Sequence, residues 1–274
     1  MRNDPLAYLG DELQALKDQN LYRRLRILED EQKPHATFDR RSVVNLSSNN
    51  YLGLTTHPTL RQRALEAIER FGVGSGSVRT IAGTMAIHME LEHRLAAFKQ
   101  TEACVVFQSG FTANAGTVSS ILGRDDAIVS DELNHASIID GARLSRATIK
   151  VFPHRDADAA RRILQELPAG QRTLLITDGV FSMDGDIAKL PEIVALAEEH
   201  EAIVYVDDAH ASGVLGRNGR GSIDHFDLHG RVHVQVGTLS KAIGVPPNRI
   251  TAILKEERGI TAVRRCAWNV SVSA

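Results

Sequence analysis

The 274-residue chain is 43% hydrophobic with a net charge of -2, enough apolar sequence for one large domain or two modest ones. This charge gives no electrostatic argument for binding nucleic acid or an anionic membrane. The two cysteines, Cys104 and Cys266, argue against a disulfide framework, and no apolar run is long enough to span a bilayer. The first residues lack the apolar core of a signal peptide. We therefore expect a soluble cytoplasmic protein.

The N-terminal region predicts helix. Leucines recur at helical spacing from Leu6 to Leu28, with a break near Asn20, and residues 1–40 are expected to form an N-terminal helical segment. Further along, Pro58 is expected to begin a helix that runs to Phe71 and stops at Gly72.

The rest of the chain alternates between apolar strands and amphipathic helices. Strands are predicted at residues 43–46, 103–107, 127–130, 149–152, 173–177, 203–206 and 233–236. Repeated alternation of this kind predicts an α/β domain with a mostly parallel sheet covered by helices on both faces.

Polar residues capable of chemistry follow the predicted strands. Because open α/β sheets place ligands at the carboxyl ends of their strands, one cleft can hold all of them. They are Ser109, Gly110, His135, Ser182, Asp207, His210 and Lys241.

An aspartate at the end of one predicted strand and a lysine at the end of another suit pyridoxal phosphate. That cofactor needs a lysine for its Schiff base and an acid that keeps the pyridine nitrogen protonated. Lys241 lies among apolar residues, which favours partial burial, and Asp207 ends an apolar strand, where an unpaired carboxylate would be costly. His210, three residues beyond Asp207, could reach the phenolic oxygen, and the Ser109-Gly110-Phe111 turn with Thr238 would hold phosphate.

Other cofactors fit less well. The glycine-rich run at residues 72–77 follows a helix and has Ser77 in place of the third glycine, so a dinucleotide site is disfavoured. The chain has no GK[ST] triplet, which argues against a P-loop. Asp207, Asp208 and His210 lack the further histidines that a metal site would use, so we expect no metal.

Six runs together resemble the α-oxoamine synthase family of fold-type I pyridoxal-phosphate enzymes. They are SSNNYLGL at 47–54, SGFTAN at 109–114, SDELNHASIIDG at 130–141, TDGVFSMDGDIA at 177–188, VYVDDAHASGVLG at 204–216 and GTLSKAIG at 237–244. They match in order and spacing over about residues 20–244. The resemblance implies a homodimer with the pyridoxal-phosphate-binding large domain at residues 41–244.

The resemblance also implies residue roles. Lys241 forms the Schiff base and moves the Cα proton, Asp207 pairs with the pyridine nitrogen, and His135 stacks on the ring, so these three are the expected catalytic residues. Gly110, Phe111, Ser182, His210 and Thr238 would complete the cofactor site, and Asn49 and Arg23 would face the substrate carboxylate.

The reaction implied is the joining of an amino acid to an acyl-CoA with release of CoA. The glycine C-acetyltransferase branch, which uses glycine and acetyl-CoA, is favoured. The alternatives are the branch that joins alanine to a pimeloyl thioester in biotin synthesis, or a remnant that has lost turnover.

We expect residues 245–274 to be an aberrant tail without resemblance to the family, and the C-terminal small domain to be missing. Within this segment, a helix is predicted at Ile250–Arg258. Loss of the C-terminal small domain would impair dimerisation and turnover.

Overall fold

The computed structural model describes residues 4–245 and 250–254. The chain divides into two compact units, Met1–Ser48 and Asn49–Ala274. This division differs from the three segments predicted from sequence, and the role of each predicted segment stays a prediction.

The first unit contains one helix and a hairpin. Helix α1 spans Ala7–Asp18, and strands β1 (His35–Phe38) and β2 (Arg41–Val44) pair antiparallel. The prediction of helix as far as Leu28 is wrong beyond Asp18, because Asn20 adopts a left-handed backbone (φ 57°) that ends the helix.

The second unit contains the remaining elements. Its helices are α2 (Pro58–Phe71), α3 (Ala86–Lys99), α4 (Gly110–Ile121), α5 (Ala136–Ser145), α6 (Ala157–Glu166), α7 (Leu190–Glu199) and α8 (Ser222–His225). Its strands are β3 (Ala103–Phe107), β4 (Ala127–Asp131), β5 (Thr148–Phe152), β6 (Thr173–Asp178), β7 (Ile203–Asp207), β8 (Val234–Thr238) and β9 (Ile250–Leu254). None of the helices in the described ranges is long and apolar enough to cross a membrane.

These strands form one sheet in the order β3-β9-β8-β7-β6-β4-β5. The pairs β8–β7, β7–β6, β6–β4 and β4–β5 are parallel, and β9 pairs antiparallel with both β3 and β8. The prediction of an α/β domain with a mostly parallel sheet is confirmed. The carboxyl ends of the parallel strands therefore lie along one edge.

Alternate residues of each central strand pack on opposite faces of the sheet. On one face, Leu175, Val204 and Val206 pack with apolar residues of α6 and α7. On the other, Ile176 and Tyr205 pack with residues of α4 and α5. Burial of each Val, Leu or Ile side chain stabilises the fold by about 1.5–3 kcal/mol. Because the central strands are apolar on both faces, they are stable only in the interior of the domain.

Strand β9 corrects one prediction in the segment from 245 onward. Ile250–Leu254 is a strand, so the helix predicted for Ile250–Arg258 is wrong over these residues. β-branched Ile250, Thr251 and Ile253 suit the strand. The rest of the predicted tail, residues 246–249 and 255–274, lies outside the described residues.

Candidate active site

The candidate site lies at the carboxyl edge of the sheet. Adjacent strands β6 and β7 end at Asp178 and Asp207, which are register partners. Strand β8, on the other side of β7, ends at Thr238 and leads into the loop that carries Lys241. The strand order therefore brings residues that are far apart in the chain to one edge.

Asp207 is buried and held by two hydrogen bonds. Its side chain is 5% exposed, Asn114 Nδ2 donates to its Oδ2 over 2.6 Å, and the Ala209 N–H donates to its Oδ1 over 2.9 Å. Burial raises the pKa of Asp207, while these donors and the charges of Lys241 and His135 oppose the rise. The carboxyl group is thus fixed in orientation, and a cationic partner would stabilise its charged form.

Asp178 is a second buried carboxyl group next to Asp207. Its Oδ2 accepts the His135 N–H over 3.0 Å. Burial and the Asp207 charge raise the pKa of Asp178 to about 8. Two neighbouring carboxyl groups in an apolar site favour one shared proton or a cation between them.

Lys241 is the cation that interacts with both carboxyl groups. It lies in a turn closed by the Gly244 N–H, which donates to the Lys241 carbonyl over 2.9 Å. Burial lowers the pKa of the Lys241 amine, and Asp207 and Asp178 raise it, so that the net pKa lies below 10.5. A lowered pKa increases the neutral, nucleophilic fraction of the amine.

His135 precedes α5 and caps it. Its ring Nδ1 lies 2.7 Å from Ser137 Oγ and accepts the Ser137 N–H over 3.2 Å. The ring is exposed, while its backbone is tied to Asp178. His135 therefore lies between β4 and α5, at the same edge of the sheet at which Asp207 ends β7.

Helix α4 begins at the same edge with a capping box. Ser109 Oγ accepts the Thr112 N–H over 3.1 Å, and Thr112 Oγ1 accepts the Ser109 N–H over 2.9 Å. The first N–H groups of α4, at Gly110 and Phe111, have no carbonyl partner within the helix, as at any helix start. Such a terminus favours an anion.

His210 is linked to the segment that contains Asn49. Tyr51 OH lies 2.7 Å from His210 Nδ1 and donates to Asn49 Oδ1 over 3.2 Å. Burial, with the charges of Lys241 and His135, lowers the pKa of His210 to about 4. His210 is therefore neutral at pH 7 and suited to exchange hydrogen bonds rather than to carry charge.

Two of the predicted site residues are exposed. Ser182 is exposed in the loop after β6, and Arg23 is exposed in the first unit. Their proposed contacts with cofactor and substrate stay predictions.

Four residues that the sequence argument did not select also belong to the site: Asn114, Ser137, Asp178 and Tyr51. Asp178 ends an apolar strand just as Asp207 does, so the same signal marks it. Asn114 and Ser137 lie inside helices, where a polar residue is usually exposed, and no local pattern singles them out.

These residues fit pyridoxal phosphate by the chemistry of their donor set. The buried Asp207 carboxylate would pair with the pyridine N–H, the depressed pKa of Lys241 suits a Schiff base, and the start of α4 suits the phosphate. Bound there, pyridoxal phosphate supplies an electron sink for a carbanion next to its imine nitrogen.

Comparison with known proteins establishes the class. The model of the family "Aminotransferase class I and II" matches residues 41–274, and the chain belongs to this family. Pyridoxal phosphate, the cofactor predicted from sequence, is the cofactor of this family.

The names of curated relatives are more specific than the family description. The chain is 59% identical over 241 residues to 8-amino-7-oxononanoate synthase of Thermoanaerobacter pseudethanolicus, covering 88% of this chain and 61% of that protein. It is 60% identical over 239 residues to the enzyme of the same name from Bacillus pumilus, covering 87% of this chain and 61% of that protein. The chain thus spans about three fifths of the length of these curated relatives.

Solved structures agree with this placement. Serine palmitoyltransferase from S. paucimobilis, in complex with a PLP–myriocin aldimine, superposes with a TM-score of 0.88 at 34% identity, covering 96% of this chain and 67% of that one. Both kinds of relative are α-oxoamine synthases, so the resemblance inferred from the six sequence runs is confirmed. The preference for glycine and acetyl-CoA is not supported, since these relatives favour the stated alternative.

One histidine bridges two carboxylates at the carboxyl edge of the sheet. His154 Nδ1 is 3.0 Å from Asp131 Oδ1, and its Nε2 is 3.3 Å from Asp186 Oδ2. Burial lowers the pKa of His154, but hydrogen bonds and charge interactions with Asp131 and Asp186 outweigh it, and the net pKa is above 6.5. This bridge joins the last residue of β4 to the loops after β5 and β6.

We expect His154 to stabilise the fold at low pH only. A folded-state pKa above the unfolded value gives a contribution that is complete below about pH 6.5 and is lost as pH rises through the folded pKa. The difference in the free energy of urea unfolding between the parent chain and His154→Gln should therefore shrink from pH 5.5 to pH 8. His93→Gln, on the exposed face of α3, is the control, and an equal trend in both variants would contradict the assignment.

Proposed function

We propose that this chain binds pyridoxal phosphate through Lys241 and serves the α-oxoamine synthase reaction, the joining of an amino acid to an acyl thioester. Among the branches of the family we favour the 8-amino-7-oxononanoate synthase type, with alanine and a pimeloyl thioester as substrates. The identities of 59% and 60% to enzymes of that name support this choice over glycine and acetyl-CoA.

The observation that carries the proposal is the placement of Asp207 and Lys241 at the carboxyl ends of the adjacent parallel strands β7 and β8. The carboxyl group is buried, each of its oxygens accepts one hydrogen bond, and its charge interacts with that of the Lys241 amine. An amine and a carboxylate so placed can engage one pyridine ring, one by a covalent bond and the other by a charged hydrogen bond.

The other residues follow from their positions. His135 would lie against the ring, and His210 would exchange a hydrogen bond with the phenolic oxygen as a neutral imidazole. Gly110, Phe111 and Thr238 would hold the phosphate. Lys241 would be the base that takes the Cα proton, because burial lowers the pKa of its amine.

The proposed binding of pyridoxal phosphate to Lys241 is tested by the visible absorbance of the adduct. The purified chain with pyridoxal phosphate should turn yellow, borohydride should bleach it, and peptide mapping should place the reduced adduct on Lys241. Lys241→Ala should remain colourless, whereas Lys189→Ala, which removes a lysine that is 43% exposed, should behave like the parent. An adduct on Lys241 and Lys189 alike would reject a specific site.

The reaction is tested separately by release of the thiol. Alanine with pimeloyl-CoA should release CoA faster than glycine with acetyl-CoA. The reverse order would restore the glycine branch. A chain that binds cofactor yet releases no CoA from either pair would reject the condensation and leave the binding proposal standing.

A further inference from the structure

A continuous chain of hydrogen bonds joins Asp207 to His135. Asn114 Nδ2 donates to Asp207 Oδ2 over 2.6 Å and to Ser137 Oγ over 2.8 Å. Ser137 Oγ in turn lies 2.7 Å from His135 Nδ1. One amide group in α4 therefore contacts the residue proposed to pair with the ring nitrogen and, through one serine, the residue proposed to stack on the ring.

The orientation of the Asn114 amide is fixed by its partners. Tyr205 OH donates to Asn114 Oδ1 over 2.7 Å, so the oxygen of the amide faces Tyr205. The NH2 group then faces Asp207 and Ser137, and both of its hydrogens are used. Asn114 is 1% exposed and Tyr205 is fully buried, so water does not compete for these bonds.

The hydrogen-bond partners of Ser137 also determine which nitrogen of the His135 ring carries the hydrogen. Ser137 Oγ accepts from Asn114, which leaves its own hydrogen for His135 Nδ1. The Ser137 N–H also donates to that nitrogen over 3.2 Å. A ring nitrogen that accepts two hydrogen bonds carries no hydrogen, so the neutral His135 ring has its hydrogen on Nε2.

We infer that Asn114 is a positioning residue that holds Asp207 and His135 as one hydrogen-bonded unit, with the neutral His135 ring protonated on Nε2. This inference rests on the proposed function for the role of the two residues, but the hydrogen-bond pattern itself belongs to the chain. The unit keeps the carboxylate and the imidazole at a constant separation, so that cofactor binding does not have to order them.

The pattern is measured without cofactor. With histidine labelled by 15N, NMR of the chain should show the Nε2–H tautomer at His135, assigned by the signals that disappear in His135→Asn. Ser137→Ala removes one of the two donors to Nδ1 and should increase the Nδ1–H share. An Nδ1–H tautomer in the parent chain would overturn the inference.

The positioning role is measured by cofactor affinity. Asn114→Leu should weaken pyridoxal phosphate binding by at least about tenfold, equivalent to about 1.4 kcal/mol. Ser120→Ala is the control: its Oγ donates to the Thr117 carbonyl over 2.7 Å within the same helix. It should leave the affinity unchanged, and circular dichroism checks that each variant is folded.

The outcomes separate the two proposals. Parent-like affinity in folded Asn114→Leu would contradict the positioning role. Where Asn114→Leu does not fold, Ser137→Ala decides through its tautomer shift, and an unchanged spectrum would count against the unit. A parent chain that binds no pyridoxal phosphate contradicts the proposed function, while the NMR result still decides the hydrogen-bond pattern.

Discussion

Lys99→Met should lower the free energy of unfolding by about 3–5 kcal/mol. Lys99 and Asp208 are 4% and 0% exposed, with Nζ 3.1 Å from Oδ2. Nζ also donates to Ser212 Oγ and the Arg220 carbonyl, each over 2.7 Å. The substitution leaves the buried Asp208 carboxylate with Ser222 as its remaining neutral donor in this cluster, and an unpaired buried charge is costly. Urea unfolding measures the loss.

Two further variants make this measurement specific. Lys189→Met removes an ion pair with Glu192 whose side chains are 43% and 56% exposed, and should change the free energy of unfolding by no more than about 1 kcal/mol. Lys99→Met combined with Asp208→Leu removes both charges and should recover part of the loss. A single Lys99→Met variant as stable as the parent would show that the cluster is not holding the loop between Asp208 and Ser222.

The geometry of that loop explains why the cluster matters for the site. Gly221 has φ +106°, and a Cβ there would lie 1.7 Å from Asp208 Oδ2. The backbone thus approaches the carboxylate as closely as only glycine allows. Asp208 follows Asp207 directly, so whatever fixes one end of this loop also fixes the carboxylate proposed to pair with the cofactor.

Much of the fold follows from local sequence signals. Helix α2 has the predicted bounds because Pro58 favours the first turn and Gly72, at φ +75°, ends it. Strand β3 also has its predicted bounds. Strand β1 was not predicted, because a four-residue hairpin strand that is only partly buried carries little periodicity. Strand β9 forms by antiparallel pairing with β3 and β8, a long-range interaction that the segment's own sequence does not reveal.

The residues of the candidate site also fall into two groups, those that a local sequence pattern predicts and those that only tertiary packing reveals. Asp207 and Lys241 are predictable because Asp207 ends an apolar strand and Lys241 lies three residues after the end of another, which are local patterns. Asn114 is not, because its importance comes from Asp207, which is 93 residues away in the chain. Sequence periodicity places Asn114 on a helix, but only the packing of α4 against the sheet brings its amide to the carboxylate.

Asp207→Asn should weaken pyridoxal phosphate binding by about 2–5 kcal/mol, the usual cost of removing one partner from a buried charged hydrogen bond. The structure adds a second reason. Each Asp207 oxygen accepts one donor, from Asn114 and from the Ala209 N–H, and an asparagine has one oxygen only. Its NH2 group would therefore face a donor at one of the two positions, and no rotation of the amide relieves both. Absorbance titration with pyridoxal phosphate measures the change.

The matched control is Asp184→Asn, an equal loss of charge on the exposed loop after β6. It should bind the cofactor as the parent does. This result would show that the loss of affinity in Asp207→Asn depends on where the charge lies and not on the change in net charge. Since the Asp207 charge raises the pKa of Lys241, Asp207→Asn should also shift the pH profile of adduct formation at Lys241 to lower pH. Unchanged affinity together with an unchanged profile would mean that Asp207 and Lys241 do not act on one ring, and the proposed cofactor site would have to be abandoned.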